Sequence, residues 1–215
     1  MQRRNFLAAV GLHAVLGPRQ GQPAVQDPLP PKGVQLDYRV LFGDSEIGRQ
    51  SVRIREHDQK GHVIVEHAVK LEVRVLFSVA YALEHRSTEI WDGFTLKSIR
   101  SESIENGERS VIEGDATADG FRIRKAGKAW LAPRDTVPSD SFWIAAAMGS
   151  ASVVNTRTGD TAKPMLRQLS DGRWHLKADF AHGPVQAHMR FDGEFLAEAE
   201  IDSDGHTVKL RRIAA

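Results

Sequence analysis

The chain contains no cysteine. That excludes disulfides, thiolate metal centres, a cysteine nucleophile and a lipobox anchor. Aromatic residues are scarce, at 7%. No apolar run reaches the roughly 20 residues that a membrane-spanning helix needs. A strong charge of one sign is also missing, since the formal net charge is +1. Of the 29 basic residues, three (Arg3, Arg4 and Arg19) precede Asp27, which leaves 26 against 28 acidic residues in the remainder. Duplex nucleic acid requires a basic surface to neutralise phosphates, so it is excluded as a partner. The glycines are scattered, with no phosphate-cradling loop and no Gly-x-Ser-x-Gly elbow.

What is present is ordinary globular material. The 215 residues are 41% apolar and 27% charged, enough for one domain with a sizeable core. Arg3-Arg4-Asn5-Phe6-Leu7 precedes a weakly apolar stretch to Leu16 and then Arg19. Charge, apolar stretch and polar spacer follow in the order of an export signal. The paired arginines with Phe6-Leu7 resemble a twin-arginine leader. The expected division is a leader over 1–26, a proline-rich linker over 27–33 and a single β-sheet domain over 34–215, located in the periplasm.

Asp92-Gly93, Asn106-Gly107, Asp119-Gly120, Asp171-Gly172, Asp192-Gly193 and Asp204-Gly205 are turn dipeptides that tolerate the positive φ of tight hairpins. Apolar residues alternate between them, as in Trp174, Leu176, Ala178 and Phe180, then Val185, Ala187, Met189 and Phe191. Period-2 patterning with tight turns predicts antiparallel strands that are half buried. The longest alternation runs from Val63 to Leu83. It predicts a core face and a reversal near Leu76–Ser78. Phe142 to Met148 is apolar on every side between Pro138-Ser139-Asp140 and Gly149, which predicts a short buried helix. The fold class is therefore mainly β: a large curved antiparallel sheet, half-barrel-like, wrapped around one short buried helix.

Three further segments carry a family resemblance. They are Tyr81-x-x-Glu84-His85-Arg86-Ser87-x-Glu89-x-Trp91-x-Gly93, Pro138-Ser139-x-x-Phe142-Trp143 and Val154-Asn155-Thr156-x-Thr158-Gly159, with Ser101 and Asn106-Gly107 between the first two. In this order the chain resembles the exported bacterial domain-of-unknown-function family 6134. Ala199 and Ile201 stand where the resemblance leads one to expect aromatic side chains. It implies a β-rich envelope protein and brings no assigned activity. The sheet is similar to the half-barrel of periplasmic lipoprotein carriers, an analogy of fold that does not fix function.

One cluster stands out on the expected inner face. His67 interrupts the apolar parity, and His85, Ser87 and Glu89 continue it before Trp91. If the chain reverses near Leu76, His67 lies opposite or diagonal to Ser87. An Asp92-Gly93 loop would pair His85 with Arg100, and Glu89, costly to bury unpaired, should meet that guanidinium or a histidine. His67, His85, Ser87, Glu89 and Arg100 are thus the candidate binding residues, with Trp91 and Trp143 as candidate pocket aromatics. The nine histidines show no local convergence of the kind that metal ligation requires. No metal, cofactor or catalytic set is expected. The function classes left are a carrier of an apolar small molecule or lipid, an envelope scaffold or partner-binding module, and an enzyme acting on an envelope substrate.

Overall fold

The computed structural model describes residues 33–57, 61–203 and 205–214. The leader and residues 27–32 of the linker lie outside them. The strands are β1 (Gln35–Phe42), β2 (Ser45–Glu56), β3 (His62–Val75), β4 (Ser78–Asp92), β5 (Thr95–Glu105), β6 (Glu108–Ala116), β7 (Phe121–Lys125) and β8 (Lys128–Ala132), then β9 (Thr136–Pro138), β10 (Ser152–Val154), β11 (Thr161–Ala162) and β12 (Met165–Gln168), and finally β13 (Trp174–Phe180), β14 (Gly183–Asp192), β15 (Phe195–Ser203) and β16 (His206–Arg212). Thirteen of them form one sheet in the order β12-β13-β14-β15-β16-β1-β2-β3-β4-β5-β6-β7-β8. The β1–β8 and β12–β16 meanders join where β1 pairs antiparallel with β16, Val40 opposite Leu210. A small second sheet, β11-β10-β9, belongs to the segment that connects β8 to β12.

The large sheet is curled around that connecting segment. The Trp143 indole lies 6.4 Å from the His67 ring of β3 and stacks at 6.3 Å on Phe195 of β15. Those strands are four places apart in the sheet order, roughly 19 Å if the sheet were flat. One side chain reaches both only across a concave face. Tyr38 Oη donates to the Leu196 carbonyl at 3.1 Å from inside the same hollow. The core fills this concavity with Tyr38, Val52, Val65, Ile112, Phe121 and Val153 among its fully buried residues. Gly114 is required for that packing, because a Cβ there would lie 2.5 Å from the Phe121 ring.

The expected helix is not α-helical. Residues Ser139–Trp143 and Ala145–Gly149 form two 3-10 turns, separated by Ile144 in extended conformation (φ −124°, ψ 135°). Ile144 makes a β-bridge to Phe195, and the amide of Ala145 donates to the Glu194 carbonyl at 3.0 Å. Those backbone bonds to the sheet replace helical ones, and one extended residue is enough to stop helix propagation. Burial itself follows from the apolar run: Trp143, Ile144 and Ala147 are buried.

The long Val63–Leu83 alternation divides in two. The chain reverses at Leu76–Phe77, with Val75 opposite Ser78. Val63 and Val65 are buried as core. The distal part departs from the expectation, because β2 pairs with β3 only to Leu71 and β5 pairs with β4 only to Leu83. Just beyond those residues Ala82 bonds to Asn106 and Tyr81 to Glu105 and Arg157, and past Tyr81 the hairpin continues as a two-stranded ribbon with no flanking strand. Val75, Leu76, Phe77 and Val79 are exposed on it rather than buried.

Candidate functional site

Cross-strand register assembles the polar cluster. His67 of β3 lies opposite Ser87 of β4, and Val65 opposite Glu89. His67, His85, Ser87 and Glu89 all face inward and are buried. Arg100 does not join them. The β4–β5 loop is Gly93-Phe94 rather than Asp92-Gly93, and a bulge follows between Ile90 and Trp91. This sets Ser103, not Arg100, opposite His85 and moves the β5 residues by an odd number of places. An odd shift exchanges the two faces of a strand. Arg100 therefore opposes Thr88 and ion-pairs with Glu113 on the outer face.

The partner that sequence reasoning missed is Asp140. It enters from the first 3-10 turn. His85 bridges two groups: its Nδ1 lies 2.8 Å from Ser103 Oγ and its Nε2 2.8 Å from Asp140 Oδ2. Ser87 Oγ donates to the same carboxylate oxygen at 3.3 Å. Behind it, Ser101 Oγ donates to the Thr156 carbonyl at 2.6 Å, and Thr156 Oγ1 meets Ser139 Oγ at 3.2 Å. Ser139 and Ser141 thus serve the cluster, with neither capping a helix. The only hint in the sequence was that Pro138-Ser139-x-x-Phe142-Trp143 sits in the resemblance. No spacing rule ties it to His85 across 55 residues.

Glu89 occupies the deepest position. Its Oε2 accepts from Trp91 Nε1 at 2.7 Å and from Ser141 Oγ at 3.3 Å. Its Oε1 faces His67 Nε2 at 3.4 Å without a hydrogen bond. Both His67 nitrogens and Trp143 Nε1 likewise have no partner among the described residues. Burial penalises charge here. It pushes the Glu89 carboxyl up to about 8, helped by the nearby Asp140 charge. It pulls the His67 imidazole down to about 4. Asp140 goes the other way. Burial would raise it, but the charge and hydrogen bond of His85 outweigh this and hold it well below the usual carboxylate range. At neutral pH the site is then a neutral Glu89–His67 pair beside one ionised carboxylate.

Ser103, His85 and Asp140 form the hydroxyl–imidazole–carboxylate chain of acyl-transfer enzymes. A nucleophile must also meet a substrate, and Ser103 is buried and lines none of the hollows beside the cluster. Its hydroxyl orients His85, which in turn fixes Asp140.

Two hollows flank Trp143. One, of about 190 Å³, runs from Asp140, Ser139 and Gln50 to a wall that includes Leu176, Ala178, Ala187, Met189, Ala199 and Leu210. The other, of about 210 Å³, is bounded by Val65, Trp91, Phe94, Ser141, Trp143 and Ile144. Both candidate aromatics therefore line a hollow. The first exists because alanines stand on three adjacent strands, β13, β14 and β15. Among the described residues no cluster of His, Asp and Glu has the arrangement of a metal site.

The family model described as "Domain of unknown function (DUF6134)" matches residues 38–213. The chain belongs to the DUF6134 family. No curated protein matches the sequence. Among solved structures, a "Beta-barrel-like Protein of Domain of Unknown Function DUF1849" from Brucella abortus is similar in fold, with a TM-score of 0.54 and 8% identity over 83% of this chain and 95% of that one. In this DUF6134 protein the resemblance segments divide by role. His85, Ser87, Glu89, Trp91 and Ser139 build the inner cluster. Asn155 to Gly159 builds a turn, where Asn155 Oδ1 accepts from the amides of Arg157 and Thr158 at 2.9 and 3.2 Å.

Proposed function

We propose that this DUF6134 protein binds an apolar molecule in the hollow between the first 3-10 turn and strands β13–β16, and acts as an exported carrier rather than an enzyme. The observation that carries the reading is the composition of that hollow. Its wall is apolar over most of its extent and ends at the ionised Asp140 and the Ser139 hydroxyl. Small-molecule sites are built this way, mainly apolar with a few placed polar groups. A group that donates a hydrogen bond, a hydroxyl or an amine, suits the carboxylate end.

Size restricts the ligand. An apolar cavity of about 150 Å³ accommodates benzene, so about 190 Å³ holds one ring or a short alkyl segment. A longer chain fits if the Trp143 indole, which lines both hollows, swings aside. The combined space then enters the lower range of small-molecule sites, roughly 300–1,000 Å³. Export by the twin-arginine route, from the leader, would place the carrier in the periplasm, where a carrier of an envelope molecule works.

The test is native mass spectrometry of protein purified from its own host, alongside Ala199→Phe. The wild type should release a discrete apolar mass on denaturation, and the filled variant should fold without it. An empty wild type, or a variant that retains the same mass, rejects the reading.

A further inference from the structure

The free ribbon of β3–β4 has no role in the lumen, and its tip is built against its own stability. Six hairpins among the described residues use a two-residue loop whose first residue has positive φ. In three of them that residue is glycine, Gly43 (59°), Gly93 (56°) and Gly193 (61°), and in two it is Asn106 (50°) or Ala126 (48°), each followed by a glycine. In the ribbon it is Leu76, at 56°, a larger residue than either and with Phe77 rather than glycine after it. A γ-branched side chain in the left-handed region costs conformational energy that glycine avoids. Leu76 and Phe77 are also 90% and 99% exposed, with Val75 at 58% and Val79 at 48%. A bare two-stranded ribbon is marginal in water. Both strain and exposure disfavour this sequence unless the tip is buried elsewhere.

The charge at the base of the ribbon indicates where. Arg211, Arg39, Arg49 and Lys70 stand directly opposite one another across β16, β1, β2 and β3. All four are exposed on the outer face. Like charges in direct cross-strand register repel. Arg49 and Lys70 each reach one carboxylate, Glu46 and Glu84, while Arg39 has no ion pair among the described residues. Beside the row, Arg49, Lys70 and Arg86 line an open cleft of about 530 Å³ floored by the small Ser51 and Ala68, with Asp37 and Glu84 also on its rim.

We propose that the Val75–Val79 tip inserts into an anionic lipid bilayer, with the Arg211–Arg39–Arg49–Lys70 row facing its phosphates. The dimensions agree. Lys70 is roughly 20 Å of extended strand from Leu76. Amphipathic protein surfaces settle about 5–10 Å into the headgroup and acyl boundary. That leaves the basic row roughly 10–15 Å outside the acyl boundary, where the headgroups end and within a Debye length of anionic lipid. Arg74, paired with Glu72 at 2.5 Å, sits two residues from the tip and limits insertion, its charge staying at the interface. A protein pocket would also cover the apolar tip. It leaves the row of like charges unexplained, and an anionic leaflet answers both.

The absence of cysteine permits a direct test. In the full chain, Ser78→Cys carries a single environment-sensitive dye. Vesicles of phosphatidylcholine with 30% phosphatidylglycerol should blue-shift it, and pure phosphatidylcholine vesicles should do so much less. The double variant Leu76→Gly/Phe77→Ser keeps a residue suited to the turn and should fold with an unchanged Tm. It should bind the anionic vesicles roughly tenfold or more weakly in co-sedimentation. Arg39→Gln/Arg49→Gln should lose the preference for anionic vesicles and the sensitivity to salt. All variants share the same leader, so any difference belongs to the substituted residues. An unshifted dye, or a tip variant that sediments like wild type, overturns the proposal. So does a tip variant that instead converts a dimer to a monomer in light scattering.

Discussion

At the residue scale the chemistry turns on Glu89 and His67, two neutral partners whose proton affinities are shifted by the same burial. A carboxyl raised from 4.5 to about 8 contributes stability that is complete below pH 4.5 and is lost as pH rises to 8. An imidazole lowered from 6.5 to about 4 contributes stability present above pH 6.5 and lost as pH falls to 4. Each slope is about 1.4 kcal/mol per pH unit for one proton. Between pH 4.5 and 6.5 the two oppose and cancel, so stability should be flat there, falling on the alkaline side to pH 8 and on the acid side to pH 4. Glu89→Gln keeps an acceptor for Trp91 and removes one slope. Urea unfolding across pH should then show stability rising from pH 4 to 6.5 and level above it. A variant that still loses stability between pH 6.5 and 8 would show that Glu89 does not hold the shifted proton. Asp140 adds a further acid loss below its ordinary range, since His85 depresses it.

At the scale of elements, the crossing segment and the ribbon make opposite contributions. Trp143 contacts His67 and Phe195 and separates the two hollows. Trp143→Ala should cost about 3–5 kcal/mol, the usual range for removing a core aromatic. Thermal unfolding measures it, and a Tm near wild type would place the segment outside the core. The ribbon tip should behave in reverse. Leu76→Gly relieves a positive-φ leucine that packs on nothing, so stability should hold or rise by up to about 1 kcal/mol. A marked loss would mean that the Leu76 side chain has a partner within the fold. Hairpins were the most legible elements in the sequence, because Asx-Gly dipeptides and period-2 alternation are local signals. Which residue begins the loop was not legible. Gly93-Phe94 and Asp92-Gly93 are both sound two-residue loops, and the difference, with one bulge, decides whether Arg100 or Ser103 faces His85.

At the scale of the molecule, thirteen strands curl around one crossing segment, and the concavity so formed is lined in part by Ala199 and Ile201, where aromatic side chains were expected. Ala199 is the clearest case: an aromatic ring at that position would occupy the hollow. Export is the remaining expectation at this scale. Replacing Arg3 and Arg4 by lysine should abolish periplasmic accumulation and leave the cytoplasmic protein folded, read by fractionation and immunoblot. Unchanged periplasmic yield would remove the twin-arginine assignment.

The sequence carried what depends on neighbours along the chain: strand alternation, turn positions, a reversal near Leu76–Ser78 and the inward parity of His67, His85, Ser87 and Glu89. It also determined that Phe142–Met148 must be covered. Only the tertiary structure decided how. Ile144 is drawn into a bridge with Phe195, which breaks a helix into two turns. Asp140 is carried to His85 by a segment 55 residues away in the chain. The outer third of the β3–β4 alternation is left in solvent because the flanking strands end first. Periodicity reports which side a residue faces. It cannot report how far the neighbouring strands extend to cover that side, and this is what separates a buried valine from an exposed one.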